Sequence, residues 1–107
     1  MSTAGDLEQR FERAMEGIYI AALKEAGYRA TRFHRMLGEY GGLETARRLI
    51  NDSSPAEGYT KLYELDRLDL TVEALVVCNS TYHALFSDAE IQLARKRLEE
   101  YRFELPE

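Results

Sequence analysis

Apolar residues in this chain recur every three or four positions, with no sustained run at every second one, and that spacing limits what it can fold into. From Asp6 onward, Leu7, Phe11, Met15, Ile18, Ala22 and Leu23 keep the helical period while charged residues fill the opposite side. Gly27 supplies a stop, because glycine takes the left-handed backbone that closes a helix. Tyr19 and Ile20 widen the stripe beyond one face. Either this helix is covered on two sides or Ile20 meets a second chain.

The same period continues downstream. In "YRATRFHRMLGEYGG", Ala30, Phe33, Met36, Leu37 and Tyr40 make a second stripe, ended by Gly41 and Gly42. "LETARRLIND" restarts a helix with Leu43, Ala46, Leu49 and Ile50 inward and Arg47 and Arg48 at the rim, closed by Asn51 and Asp52. "SSPAEGYTKLYEL" carries a start signal, with Ser54 as N-cap, Pro55 in the first helical position and Glu57 completing a capping box. Gly58 weakens that helix, which ends near Leu65. Ser87 to Glu90 repeat the box ahead of Ile91, Ala94, Leu98 and Tyr101, and Leu105-Pro106 terminates the chain.

Between them lies "RLDLTVEALV", ten mostly apolar residues that carry two acids. Asp69 is placed to cap a helix, and Glu73 to sit in its first turn, where the helix dipole favours negative charge. Leu68, Leu70, Val72, Leu75 and Val76 then supply the centre of a core. With only two prolines and no hairpin pattern, the reading is all-α: one compact bundle of about six helices over residues 1–107, with residues 1–5 disordered. A chain of 107 residues buries roughly two-thirds of its unfolded surface, enough for a single core without metals or disulfides.

Charge is uneven. The chain carries a net −5, yet Tyr28 to Ile50 hold five arginines against two glutamates, a local +3 that leaves −8 elsewhere. Overall acidity argues against a surface that is all nucleic-acid or lipid footprint. The lone Cys78 excludes an internal disulfide and a thiolate-rich zinc site, and it fits a reducing compartment. The polar, acidic opening "MSTAGDLEQR" is not a signal peptide, and no apolar run approaches the roughly 20 residues of a membrane span. A cytoplasmic location is expected, without membrane association.

Groups that could carry chemistry are few. Cys78 and His83 lie five apart, but no third orienting group or local nucleophile signature accompanies them. His34 and His83 have no ligand-type residue four positions on, and no phosphate-loop, dinucleotide, zinc-protease or calcium-loop motif occurs. No catalytic residue, metal or cofactor is therefore expected. Arg29, Arg32 and Arg35 are three apart, which puts them on one helix face, and a glycine break leads on to Arg47 and Arg48. That outline resembles a helix-turn-helix, and makes these five arginines the candidate nucleic-acid contacts. Seven tyrosines are the other unusual feature, since tyrosine packs its ring while its hydroxyl stays wet. Tyr19, Ile20 and Tyr63 are the candidate partner-binding residues.

The stretches "YRATRFHRMLGEYGGLETARRLI", "GYTKLYELDRLDLTVEALV" and "LFSDAEIQLARKRLEEY" resemble a widespread bacterial family of small helical proteins without an assigned activity. Its pattern runs G-F-T-x-L-W-E-x-x-R-L-D-L-T-V-E-A-L-V, then L-F-T-x-x-E with A-R-x-R-L. The match covers Tyr28 to Tyr101. Here Tyr59 and Tyr63 stand in place of phenylalanine and tryptophan, and "VCNSTYHALF" replaces a turn bearing proline or tryptophan. The resemblance implies a bacterial helical domain and supplies no reaction. The leading expectation is a non-enzymatic protein-interaction module, binding another protein or itself as a homodimer. The alternative is a small nucleic-acid-binding domain, and the third is a hydrolase-like enzyme using Cys78 and His83.

Overall fold

The first stripe becomes α1 (Thr3–Ala26) in the computed structural model, which describes residues 3–105. Thr3 to Gly5, expected to be disordered, belong to this helix; Met1, Ser2 and Pro106 lie outside the described residues. Gly27 closes α1 at φ 66°, and the Tyr28 N–H donates back to the Ala22 carbonyl at 3.0 Å. Phe11 and Met15 on its inner face are completely buried.

The glycine pair divides α2 (Thr31–Asn51) into two limbs, because Gly41 leaves helical backbone with φ 78° and ψ 171°. The neighbouring Gly42 has a different task. Its N–H donates to the Glu12 carboxylate of α1, and a Cβ there would stand 3.1 Å from the Glu12 Cα. One glycine turns the chain and the other lets two helix backbones approach closely. A short α3 (Glu57–Glu64) follows, closed by Asp66 at φ 60° with the Arg67 N–H on the Leu62 carbonyl at 2.8 Å.

Then come a 3-10 turn (Leu68–Leu70), α4 (Val72–Val77), a second 3-10 segment (Ser80–Leu85) and α5 (Asp88–Glu100). The short α4 is buried at Val72, Glu73, Ala74, Val76 and Val77, so it runs through the core instead of lying on it. It packs mainly on α5, while α1 packs mainly on α2. One main cluster joins Phe11, Met15, Ala46, Ile50, Val76 and Leu98, and a smaller one joins Ala22, Leu62 and Leu70. A radius of gyration of 13.0 Å is what a single folded unit of about 100 residues should have. No strand occurs among the described residues, and the class is all-α.

Two of the three start signals are corrected. Ser54 caps nothing: its N–H donates to Asp52 Oδ1 at 3.2 Å, and α3 begins only at Glu57 behind an extended Ala56. Asp69 is no cap either. Burying both Leu68 and Leu70 requires a 3-10 turn, which delays the helix to Val72 and makes Thr71 its cap. Thr71 Oγ1 accepts from the Ala74 N–H at 3.2 Å and donates to the Leu68 carbonyl at 2.7 Å. The third signal holds, with Ser87 and Glu90 forming a reciprocal capping box.

Candidate functional site

Burying all of α4 except the half-buried Leu75 puts Glu73 in the core, where it is 4% exposed. A carboxylate there must be paired, and Arg97 of α5 pairs it, Nη1 donating to Glu73 Oε2 at 2.8 Å. The same guanidinium donates to the Leu49 carbonyl at 3.1 Å and the Asp52 carbonyl at 2.7 Å. The Tyr59 hydroxyl donates to the backbone carbonyl of Arg97 at 3.1 Å. One arginine thus ties α5 to α4, to α3 and to the end of α2. Burial pushes the Glu73 carboxyl above the usual glutamate range, with the Arg97 hydrogen bond pulling the other way. Tyr59 is raised as well, first by burial and then by the charge of Glu73.

Above this pair opens a cleft bounded by α1, the first limb of α2, α3 and the 3-10 turn before α4. Tyr19, Tyr28, Phe33, Met36, Tyr59 and Leu62 are among its walls, and its volume is about 90 Å³. Polar groups are sparse: Arg32 from α2, Glu57 from α3, Thr71 and the paired Glu73. Small-molecule sites commonly enclose about 300–1,000 Å³. A space of this size is far short of a cofactor and close to what one apolar side chain fills. Tyr19 is held in place by stacking on His34, 4.3 Å between ring centres and 13° from parallel.

The five candidate arginines divide. Arg47 donates to the Leu85 carbonyl at 2.8 Å and lies 4.0 Å from Glu90, which fastens α2 to the chain ahead of α5. Arg48 pairs with Glu44 at 2.9 Å and lies over the Tyr40 ring at 4.0 Å. Arg29, Arg32 and Arg35 are exposed and have no carboxylate within 4.0 Å among the described residues. They do not share one helix face as expected, because α2 starts at Thr31 and leaves Arg29 in the preceding loop.

Of the partner-binding candidates, only Tyr19 lines the cleft. Ile20 is 46% exposed on α1, with Glu16, Gly17, Leu23 and Lys24 as helical neighbours. Tyr63 is exposed at 48%, the outer end of an aromatic ladder through Tyr101 to Tyr59 with ring centres 4.9 and 5.0 Å apart. Cys78 and His83 share no hydrogen bond among the described residues, and burial pushes the Cys78 thiol up, away from the reactive thiolate. No group of three or more His, Cys, Asp or Glu able to hold a metal occurs among the described residues. No described helix is long and apolar enough to cross a membrane.

The class defined by fold and site is a small all-α domain with an apolar, side-chain-sized cleft beside arginines that pair with no carboxylate among the described residues. Comparison with family models, with curated proteins and with solved structures gave no match. Glu73 and Arg97 were missed by sequence reasoning as a pair, although both bore a signal. Glu73 is flanked by Val72, Val76 and Val77 on a helix with no polar face, and Arg97 interrupts the inner stripe of Ala94, Leu98 and Tyr101. A charge inside an apolar stripe has to find a partner of opposite sign.

Proposed function

We propose that this chain is a non-enzymatic protein-interaction module, with the cleft between α1, α2 and α3 receiving an apolar side chain from a partner. The observation that carries this reading is the cleft's combination of about 90 Å³ and aromatic, aliphatic walls. Interfaces take much of their affinity from a few anchors seated in such pockets. A bacterial source rests on the family resemblance, and a cytoplasmic location rests on the single free Cys78.

A different protein suits this reading better than a second copy docked through α1. A stable dimer buries about 800 Å² on each partner. Ile20 is the single large apolar residue of α1 that stands exposed among the described residues, and exposed apolar residues scattered singly are ordinary. In the nucleic-acid alternative, Arg47 and Arg48 would have to exchange their present contacts with Leu85 and Glu44 for phosphates.

Titration with N-acetyl-leucine amide and N-acetyl-phenylalanine amide, followed by methyl NMR, tests the anchor site. Saturable shifts are expected at Ala22, Ala30 and Met36, with affinity about millimolar or weaker because one buried side chain contributes only about 1.5–3 kcal/mol. Ala56→Trp, which fills the cleft from its α3 side, should abolish them. Shifts absent, or spread evenly over the surface, would contradict the reading.

A further inference from the structure

We propose that the occupant is an acidic segment of a partner protein, with its apolar anchor in the cleft and neighbouring carboxylates on Arg32 and Arg35. This deepens the anchor reading and rests on it. Arg32 lines the cleft itself, and Arg29 and Arg35 stand within three positions of it. Among the described residues all three lack an acidic partner, as do Arg10, Arg13, Arg95 and Arg102, but of these seven only Arg32 lines the cleft. The start of α2 adds to the same field, because it has no side-chain cap and no acid in its first turn.

The opposite wall sets direction. Glu57 lines the cleft from α3 and repels carboxylates, so the acidic flank of a bound segment lies along α2. The chain as a whole carries −5, which disfavours acidic partners in general. Attraction is therefore local to this rim and falls with salt. Exposed ion pairs contribute little each, so the anchor supplies most of the affinity and the arginines supply selection and association rate. A nucleic acid would satisfy the same cations but offers no aliphatic side chain to the cleft.

Selection of random displayed peptides on the full chain, followed by fluorescence anisotropy of one selected peptide, tests this directly. Selected peptides should carry Leu, Ile, Met or Phe with Asp or Glu within a helical turn of it. Binding should weaken about tenfold in Arg32→Glu/Arg35→Glu and weaken again with added salt. Excess N-acetyl-leucine amide should displace the peptide, a check that needs no variant of the cleft. Peptides that are displaced by the amide but show no enrichment in acids would overturn this inference and leave the anchor reading intact. Peptides that the amide and Ala56→Trp both fail to affect would overturn both. Displacement by duplex or single-stranded DNA but not by the amide would overturn both in favour of a nucleic-acid surface.

Discussion

Arg97 and Arg32 are the same residue in opposite circumstances. Arg97 spends its donors on Glu73, Leu49 and Asp52, so its charge is consumed in joining α5 to the rest of the bundle. Arg32 stands exposed beside the cleft, with no carboxylate within 4.0 Å among the described residues. A buried charge must be answered from within, and an exposed one can wait for a partner. The contrast separates what holds this fold from what is available for binding, and mutations should separate the two in the same way.

The largest effect should follow from breaking the buried side. Arg97→Ala is expected to destabilise by about 3–5 kcal/mol in urea denaturation, because it leaves the Glu73 carboxylate buried without a partner. Glu73→Leu combined with Arg97→Met removes both charges and should lose less than Arg97→Ala alone. A double variant at least as unstable as that single one would mean the pair is not where the cost lies.

The acid dependence of stability sharpens the comparison further. Burial raises Glu73, so its carboxyl is no burden below the ordinary glutamate value of about 4.3, where it is protonated folded and unfolded. The burden grows as pH rises toward the folded value. Wild type should therefore lose stability relative to Glu73→Gln as pH rises through this range. Glu90 should behave oppositely. Burial pushes it up, but hydrogen bonds from Ser87 and Asn51 with the charge of Arg47 outweigh this and hold it low. Its contribution is present above the unfolded value and lost as pH falls through the folded one, so the Glu90→Gln comparison should slope the other way. Two slopes of the same sign would contradict this.

Two Ser-x-x-Glu boxes give a smaller test. Ser87→Ala should cost about 1 kcal/mol, and Ser54→Ala only a few tenths, since of the two only Ser87 accepts from a helix amide. Equal losses in thermal melts would show that local sequence alone decides a cap. The smallest effect belongs to the exposed side: Arg32→Glu/Arg35→Glu should change stability by no more than about 0.5 kcal/mol while altering peptide binding. A loss above about 2 kcal/mol would place these arginines with Arg97.

Legibility in the sequence followed how local each cause was. Gly27, the break at Gly41 and the box at Ser87 were readable because their geometry is settled within one turn of helix. Ser54 and Asp69 carried equally good local signals and were overruled from a distance. Arg97 reaches from α5 to hold the Asp52 carbonyl, and the demand to bury Leu68 and Leu70 moves the cap to Thr71. The basic segment was visible as composition, but its division into engaged Arg47 and Arg48 and unengaged Arg29, Arg32 and Arg35 depends on which residues fold back to meet them. The cleft had no signature, because its walls come from segments as far apart as Ile18 and Glu73.

The central claim is that partners are met at the cleft and its arginine rim. Mapping a selected peptide onto the chain by NMR chemical-shift perturbation tests it most directly. The account predicts a footprint on Tyr28, Ala30, Arg32, Met36 and Tyr59, with α5 unaffected at its exposed Leu93. A footprint centred on Leu93, or on Ile20 with the cleft silent, would contradict it.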